Sequence, residues 1–422
     1  MATQWKVDGK PMENYAKALM AEMAQYMSVD DESVGIRMGQ YEFFADALFG
    51  LVQHKYTVDD ETLFGNLEAA LRERFKADKL SDANLLLKEF DQRCGKLFAS
   101  RASFVLVTSI SLRDGVPKPR IVNGCHIKFH AKVPRKYKSV RASVLAGANP
   151  LNVHEENEGY LFVEVRVDAI NAPTAFMVAS EALAVYRALC QLQLSKSIRM
   201  FAGPGLTTDY PSEIALKLGN IHSMHLPDGS DAKKHWCEEV RNLSKPAKFN
   251  QLELLDEKVG KMLSKLDRAP QKYRAFCIRI LLAFSEALGT QDSEARFVKL
   301  WLCLELLTGA DDADNIIRRV AFFYVDQDIA TAQLRALRGA RNSHVHAGAR
   351  PGRLSLKNFQ LSTFVEHLLL FVISNHFKFD NPLQWHEFMS TTTDAKSIDQ
   401  QIARLKMVKK FATPSSVEPQ AD

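Results

Sequence analysis

Apolar residues recur at helical spacing through the first quarter of the chain. This pattern predicts helices over residues 13–27, 39–54, 59–77 and 81–98. Thr57 and Ser81 stand just before or at the start of two of these segments, where a hydroxyl can accept a hydrogen bond from a free backbone N–H. We therefore expect both residues to be N-caps.

The spacing changes near residue 100. Residues 102–112 are rich in β-branched side chains, and residues 119–130 and 159–170 alternate between apolar and polar positions. Helical spacing returns over 172–194. We predict a small α+β unit over 100–200, with about three strands and one covering helix.

Residues 203–250 are rich in Gly, Pro, Asp and Ser, which predicts a loop or linker. Beyond residue 250 the helical pattern is almost continuous, and Gly309 and Gly348 stand where left-handed residues would end helices. The predicted helices there are 251–267, 270–288, 293–308, 312–325, 328–346, 355–377 and 395–410.

These elements predict an α+β chain that is mainly helical. A mixed N-terminal region over 1–245 would precede an all-α bundle over 246–410, and residues 411–422 would form a disordered polar tail. Within the first region we expect helices over 1–100, strands over 101–200 and the linker over 203–250.

Composition narrows the class of protein. The 422 residues include 46% apolar and 25% charged residues, which excludes global disorder, and the net charge of +5 permits a polyanionic partner without demonstrating one. No uninterrupted apolar run approaches the roughly 18 residues of a membrane span, and the N-terminus lacks an apolar signal segment. We expect a cytoplasmic protein that does not bind a membrane.

The cysteines and histidines give no metal pattern. The six cysteines are far apart, which favours reduced thiols, and the spacing of His222, His225, His235 and Cys237 is not that of a familiar zinc site. We expect neither a metal ion nor a cofactor.

Candidate chemistry lies in residues 334–348, which read LRALRGARNSHVHAG. Arg341 and Asn342 are followed by His346. The spacing alone is a weak signal, because Arg338 with His344 and Arg120 with His126 also fit an Arg followed six residues later by a His.

The context of this motif resembles the HEPN superfamily, and within it the Apea-like branch. Ribonuclease members of that family carry an Arg, a polar residue and then a His near the end of a helix. Residues 297–309 resemble the family's helix with a Glu in an apolar run, here Glu305, and residues 316–324 resemble the next helix. The resemblance covers roughly 250–390, less than half of the chain.

The resemblance implies a metal-independent endoribonuclease that works as a homodimer, with two motifs facing one another in a composite site. It implies catalytic roles for Arg341, Asn342 and His346 and supporting roles for Glu305, Arg338 and His344. It also suggests antiphage abortive infection, in which the N-terminal region senses a phage-derived or cellular trigger.

The residue types suit RNA cleavage by attack of the 2′-hydroxyl. Histidine titrates near neutral pH and can exchange protons, and the guanidinium of arginine can hold phosphate oxygens. Asn342 and His346 are four residues apart and share a helix face. Arg341 would lie about 140° around the helix from His346, at about 100° per residue, so one motif alone surrounds a phosphate poorly.

Other interpretations stay open. His346 could bind the last carbonyl groups of its own helix, and Arg341 could form an interhelical salt bridge, for example to Glu305. The pattern predicts a buried Glu305, which needs a partner such as Arg319 or Arg341. The domain could also be a non-catalytic HEPN module that binds RNA or dimerises, or a helical protein–protein module.

A basic segment over 128–141 offers a second candidate surface. Lys132, Arg135, Lys136 and Lys138 surround Tyr137, and basic residues beside an aromatic ring can bind an RNA backbone. A solvated loop between strands is the alternative.

Overall fold

Helices predominate and strands form a smaller part of the fold, which confirms the predicted α+β class. A computed structural model describes residues 3–30, 33–37, 39–98, 101–113, 115–148, 159–201, 212–237, 247–248, 251–347 and 353–412. Within these ranges the side chains of residues 30, 33, 195–201, 247–248 and 343–347 are not included in the description.

The chain divides into two compact units. The first comprises Met1–Leu183 and Leu218–Phe249, and the second comprises Ala184–Lys217 and Asn250–Asp422. The later of these boundaries lies close to the domain boundary predicted at 245. The sequence did not indicate that residues 184–217 belong with the C-terminal bundle.

The first 98 residues form a helical layer with its own core. Trp5, Met20, Leu48, Leu67 and Phe90 are buried in this core. The four predicted helices are present, together with five short strands that the sequence did not predict, two before the first helix and three between helices. The elements are β1 (Gln4–Val7), β2 (Lys10–Pro11), α1 (Glu13–Ala24), β3 (Met27–Asp30), β4 (Ser33–Ile36), α2 (Gln40–Gly50), β5 (Val52–Gln53), α3 (Asp60–Lys76) and α4 (Ala83–Phe98).

The N-caps of α3 and α4 differ from the predicted ones. Asp59 accepts a hydrogen bond from the backbone N–H of Thr62 at 2.9 Å, and Asp82 accepts from Leu85 at 3.0 Å. The prediction of Thr57 and Ser81 is therefore wrong by one or two residues. Aspartate also favours the positive end of the helix dipole, which suits it to these positions.

A six-stranded antiparallel sheet forms the centre of the first unit. Its strand order is β12 (Asp231–Cys237), β11 (Ile221–His225), β6 (Ala102–Ile110), β10 (Leu161–Ala169), β9 (Cys125–His130) and β8 (Arg120–Val122). On one face of the sheet, Phe176 of α6 (Ala172–Phe201) stacks on Trp236 with 3.8 Å between the ring centres. On the other face, Tyr137 packs on Val105 and Val107. The elements are β6 (Ala102–Ile110), β7 (Leu112–Arg113), β8 (Arg120–Val122), β9 (Cys125–His130), α5 (Lys138–Ala148), β10 (Leu161–Ala169), α6 (Ala172–Phe201), β11 (Ile221–His225), β12 (Asp231–Cys237) and β13 (Ala247–Lys248).

The predictions of about three strands and of a linker over 203–250 are therefore corrected. Residues 119–130 form a hairpin of two strands that turns at Asn123 and Gly124, and β11 and β12 lie inside the predicted linker. Every residue of β11 is buried, so its sequence IHSMH shows no alternation between apolar and polar positions. Because of its polar side chains, the sequence pattern did not indicate this strand, which lies between β12 and β6 in the sheet.

One described helix segment, Ala172–Leu194, is long and apolar enough to cross a membrane by length and composition, and 61% of its most apolar stretch is buried inside the protein. Glu181 and Arg187 interrupt it, so a search for an uninterrupted apolar run does not detect it. Burial of this kind is typical of a core helix, and we assign the segment to the protein interior.

The second unit contains the predicted helical bundle, in which α9 packs between α8 and α12. The sequence did not predict the short helix α13. Gly309 ends α9 with φ of 61°, as predicted, whereas Gly348 and residues 413–422 lie outside the described residues. The helices are α7 (Leu252–Arg268), α8 (Gln271–Gly289), α9 (Ser293–Thr308), α10 (Ala313–Ala321), α11 (Gln327–Ala347), α12 (Leu354–Ser374), α13 (Pro382–Phe388) and α14 (Ala395–Ala412).

Candidate functional site

Helix α9 carries Glu305 and is anchored at both ends. Asp292 accepts a hydrogen bond from the backbone N–H of Ala295 at 2.6 Å. At the other end, Trp385 donates from Nε1 to the carbonyl oxygen of Leu307 at 2.7 Å, and Arg319 donates to that of Thr308 at 2.5 Å. Glu305 lies within the last turn, so its position is fixed by contacts that satisfy the terminal carbonyl groups.

Helix α11 turns Arg341 towards α9. Ala330, Leu334 and Leu337 are buried at helical spacing, and Arg341 continues this stripe four residues later. Its Nη2 atom lies 3.5 Å from Oε1 of Glu305. Its Cζ atom lies 5.8 Å from the centre of the Trp301 ring, within the range of a cation–π contact.

The Arg341–Glu305 pair is only partly buried. The Arg341 side chain is 30% exposed and that of Glu305 is 25% exposed, so the expectation of a buried Glu305 is wrong. Leu304 and Leu307 are fully buried, but the neighbouring helices do not close over Glu305. Solvent therefore reaches both charged groups, and a ligand on this surface could contact the guanidinium.

Of the two partners predicted for Glu305, Arg341 is the one in contact. Arg319 instead donates to the carbonyl oxygen of Thr308. Arg338, predicted as a supporting residue, forms an ion pair with Asp314 of α10 at 3.1 Å. That pair is exposed, so it stabilises the fold little and leaves Arg338 at the surface.

Helix α11 runs unbroken through the motif. Asn342 and His346 are therefore four residues apart on one helical face, and Arg341 is about 140° from His346. The side chain of Asn342 is half-buried. Those of His344 and His346 lie outside the described residues, so the predicted roles of these histidines stay predictions.

The contact of Arg341 with Trp301 was not predicted. Trp301 is 1% exposed and lies one helical turn before Glu305, so the two side chains share the face of α9 that meets Arg341. The four-residue spacing of Trp301 and Glu305 is the signal that could have suggested a joint role. Carboxylate and ring together restrict the guanidinium, while its other N–H groups can still donate.

A partly buried histidine packs against the C-terminal end of α9. The ring of His386 lies so close to Gly309 that a Cβ atom on Gly309 would be 2.3 Å from ring atom Cε1. Burial and, to a smaller extent, the nearby charges of Arg319 and Arg279 together lower the pKa of His386 to about 4. His386 is thus a neutral structural group at neutral pH.

The charged side chains of the basic segment are exposed, but its aromatic ring is buried. Lys132, Arg135, Lys136 and Lys138 are exposed. Tyr137 is fully buried, so it cannot stack on a base. Arg141 is also buried and donates to the carbonyl oxygen of Val107 at 3.0 Å. The surface offers charge contacts alone.

The histidines of β11 and β12 bind protein groups. His222 contacts the hydroxyl of Thr108 at 2.8 Å, His225 contacts that of Ser223 at 2.8 Å, and His235 contacts Asp231 at 3.0 Å. Among the described residues, no three His, Cys, Asp or Glu side chains form a group that could hold a metal ion.

A cavity of about 380 Å³ lies in the second unit, lined by Arg318, Gln327 and Gln401 among others. Neither Arg341 nor Glu305 lines it. The Arg341 site is thus not part of this cavity.

Comparison of the chain with protein-family models, curated proteins and solved structures finds no match in any of the three.

Proposed function

We propose that the protein is a metal-independent endoribonuclease of HEPN type, which cleaves RNA in a composite site formed by two copies. The observation that carries this proposal is the partly exposed Arg341 side chain, whose guanidinium is held by Glu305 at 3.5 Å and by the Trp301 ring. This arrangement preorganises a cation at the end of α11 where the sequence also places Asn342 and His346.

The reaction uses the RNA's own nucleophile. The ribose 2′-oxygen forms a bond to the adjacent phosphorus while the bond to the 5′-oxygen breaks. The 2′-hydroxyl proton leaves to a base, and the departing 5′-oxygen takes up a proton from an acid, which yields a 2′,3′-cyclic phosphate and a 5′-hydroxyl. His346 serves as one of these groups, and Arg341 holds the charge that develops on the phosphate oxygens.

Two copies supply what one motif lacks. Because Arg341 and His346 diverge by about 140° on one helix, a single α11 cannot present both towards one phosphate. A second α11 facing the first brings an Arg of one copy beside a His of the other.

In this proposal, the N-terminal unit acts as a sensor of a phage-derived or cellular trigger in cytoplasmic antiphage defence.

A non-catalytic module that binds RNA or dimerises is the second candidate. The same contacts of Arg341 with Glu305 and Trp301 tie α11 to α9 and need no chemistry. The two functions differ in one measurable respect. A binding module shifts labelled RNA in a gel without shortening it.

The test is cleavage of a labelled single-stranded RNA by the full-length protein in EDTA, with cell extract added in a parallel reaction to supply a trigger. We expect products that end in a 2′,3′-cyclic phosphate. A single 2′-deoxy substitution at the cleaved position should block that cut, because it removes the nucleophile. RNA that is bound and never cut under either condition would contradict the proposal.

A further inference from the structure

Helix α14 has no buried residue along its 18 residues. Most helices in proteins gain their stability by packing an apolar face against a partner. The exposed apolar side chains include Ile398 at 37%, Ile402 at 45% and Leu405 at 67%. The helix therefore presents apolar surface that the described part of its own chain leaves uncovered.

Six positions of α14 form a seam along one side of the helix, and three further exposed apolar side chains, Met407, Val408 and Phe411, lie outside it. Residues 395, 398, 402, 405, 409 and 412 are separated by alternating steps of three and four, and they read Ala, Ile, Ile, Leu, Lys and Ala. Steps of three and four residues are typical of a seam that pairs with a second helix. The basic residues of α14 are spread around the helix, which disfavours a lipid surface.

The charges select an antiparallel copy of the same helix. In a parallel pair, Lys409 would meet Lys409 of the other copy in the seam. In an antiparallel pair, Ile402 packs on Leu405 of the other copy and Ile398 packs on the aliphatic stem of Lys409. The same register places Asp399 beside Lys406 of the other copy, and the symmetry forms this ion pair twice.

We infer that α14 pairs antiparallel with α14 of a second copy of this chain, through the seam of Ile398, Ile402 and Leu405. This inference rests on the proposed function in one respect, since it names the surface that joins the two copies needed there. The molecular mass of the protein in solution tests this pairing independently of RNA cleavage.

The first experiment is sedimentation of the full-length protein over ~1–100 µM, with Ile402→Glu plus Leu405→Glu as the seam variant and Met407→Glu as its control. Met407 is 65% exposed and lies outside the seam. We expect a wild-type dimer whose dissociation constant rises at least about 100-fold in the seam variant and is unchanged in the control. Since α14 has no buried residue, these changes leave the bundle folded, and circular dichroism checks this.

The second experiment swaps the charges. Asp399→Lys and Lys406→Asp should each weaken the dimer, and the double variant should restore it, because both ion pairs then re-form with reversed sign. A foreign protein or a vesicle containing anionic lipid would not produce that rescue. A monomeric wild type, a seam variant as dimeric as wild type, or a double swap weaker than both single changes would overturn the inference.

The outcomes separate the two proposals. A dimer that depends on the seam but never cuts RNA would keep this inference and contradict the nuclease. If the protein cuts RNA but the seam variant has the same mass as the wild type, the nuclease proposal stands and this inference is contradicted.

Discussion

Arg341 on α11 lies 3.5 Å from the carboxylate of Glu305 on α9, and both side chains remain partly open to solvent. The contact joins the two helices that the sequence singles out for chemistry. A partly exposed ion pair contributes little to stability, and we propose that it fixes the guanidinium for a ligand.

Glu305→Gln tests this positioning role directly. The free energy of unfolding should fall by less than about 1 kcal/mol, because the pair is partly solvated. The rate of RNA cleavage should fall at least about tenfold, because the guanidinium is less restricted. Urea unfolding and single-turnover cleavage provide the two readings.

Glu286→Gln is the matched control. Glu286 of α8 forms an ion pair with Lys299 of α9 at 2.8 Å, so it also joins two helices of the bundle. We expect neither reading to change much. Equal losses of cleavage in the two variants would show that Glu305 has no special role.

The exposed basic segment of the first unit should contribute to RNA affinity through charge alone. Lys132→Ala with Arg135→Ala should lower the dependence of log affinity on log salt by about 1.4, at about 0.7 for each lost phosphate contact with a single strand. Filter binding of labelled RNA at several salt concentrations measures this slope.

Lys258→Ala with Lys265→Ala provides the control for that experiment. Both lysines are exposed on α7, so this variant loses the same charge at a different place. If both double variants shift the slope equally, the basic segment is a solvated loop and no binding surface.

Gly309→Ala should destabilise the bundle by more than about 1 kcal/mol, because alanine disfavours positive φ values. The backbone has φ of 61° there, and a Cβ atom would meet the His386 ring. Gly339→Ala, within α11 and with nothing within 4 Å of its Cβ position, should stabilise the protein by up to about 1 kcal/mol. The urea midpoint should therefore fall in Gly309→Ala and rise in Gly339→Ala. An unchanged midpoint in Gly309→Ala would contradict the described packing.

Stability should decrease as the pH falls from about 6.5 to about 4. Burial lowers the pKa of His386 from 6.5 to about 4, so in this window the unfolded chain binds a proton that the folded chain does not. Each such group contributes at most about 1.4 kcal/mol per pH unit. Urea midpoints across this range should fall less steeply for His386→Phe than for wild type, and equal slopes would show that His386 does not contribute.

The sequence predicts helices better than strands in this protein. The helices of the bundle are amphipathic and end at signals such as Gly309, so local pattern suffices to find them. Strand β11 is covered on both faces and carries polar side chains such as His222 and Ser223, whose partners come from distant segments. No local pattern distinguishes such a strand from a loop.

The candidate site shows the same limit. The pairing of Arg341 with Glu305 was one of two predicted alternatives, because both residues stand at conspicuous places in their helices. The exposure of Glu305 depends on how closely neighbouring helices cover it, and the contact of Arg341 with Trp301 depends on the packing of α11 against α9. These are tertiary relationships that spacing along the chain does not encode.

Comparison of Arg341→Ala, His346→Ala and His344→Ala in the EDTA cleavage assay tests the central claim most directly. All three variants should retain the circular dichroism and mass of the wild type. We predict that the first two lose cleavage by at least about 100-fold and that His344→Ala keeps most of it. Wild-type cleavage rates in the Arg341→Ala and His346→Ala proteins would contradict the account.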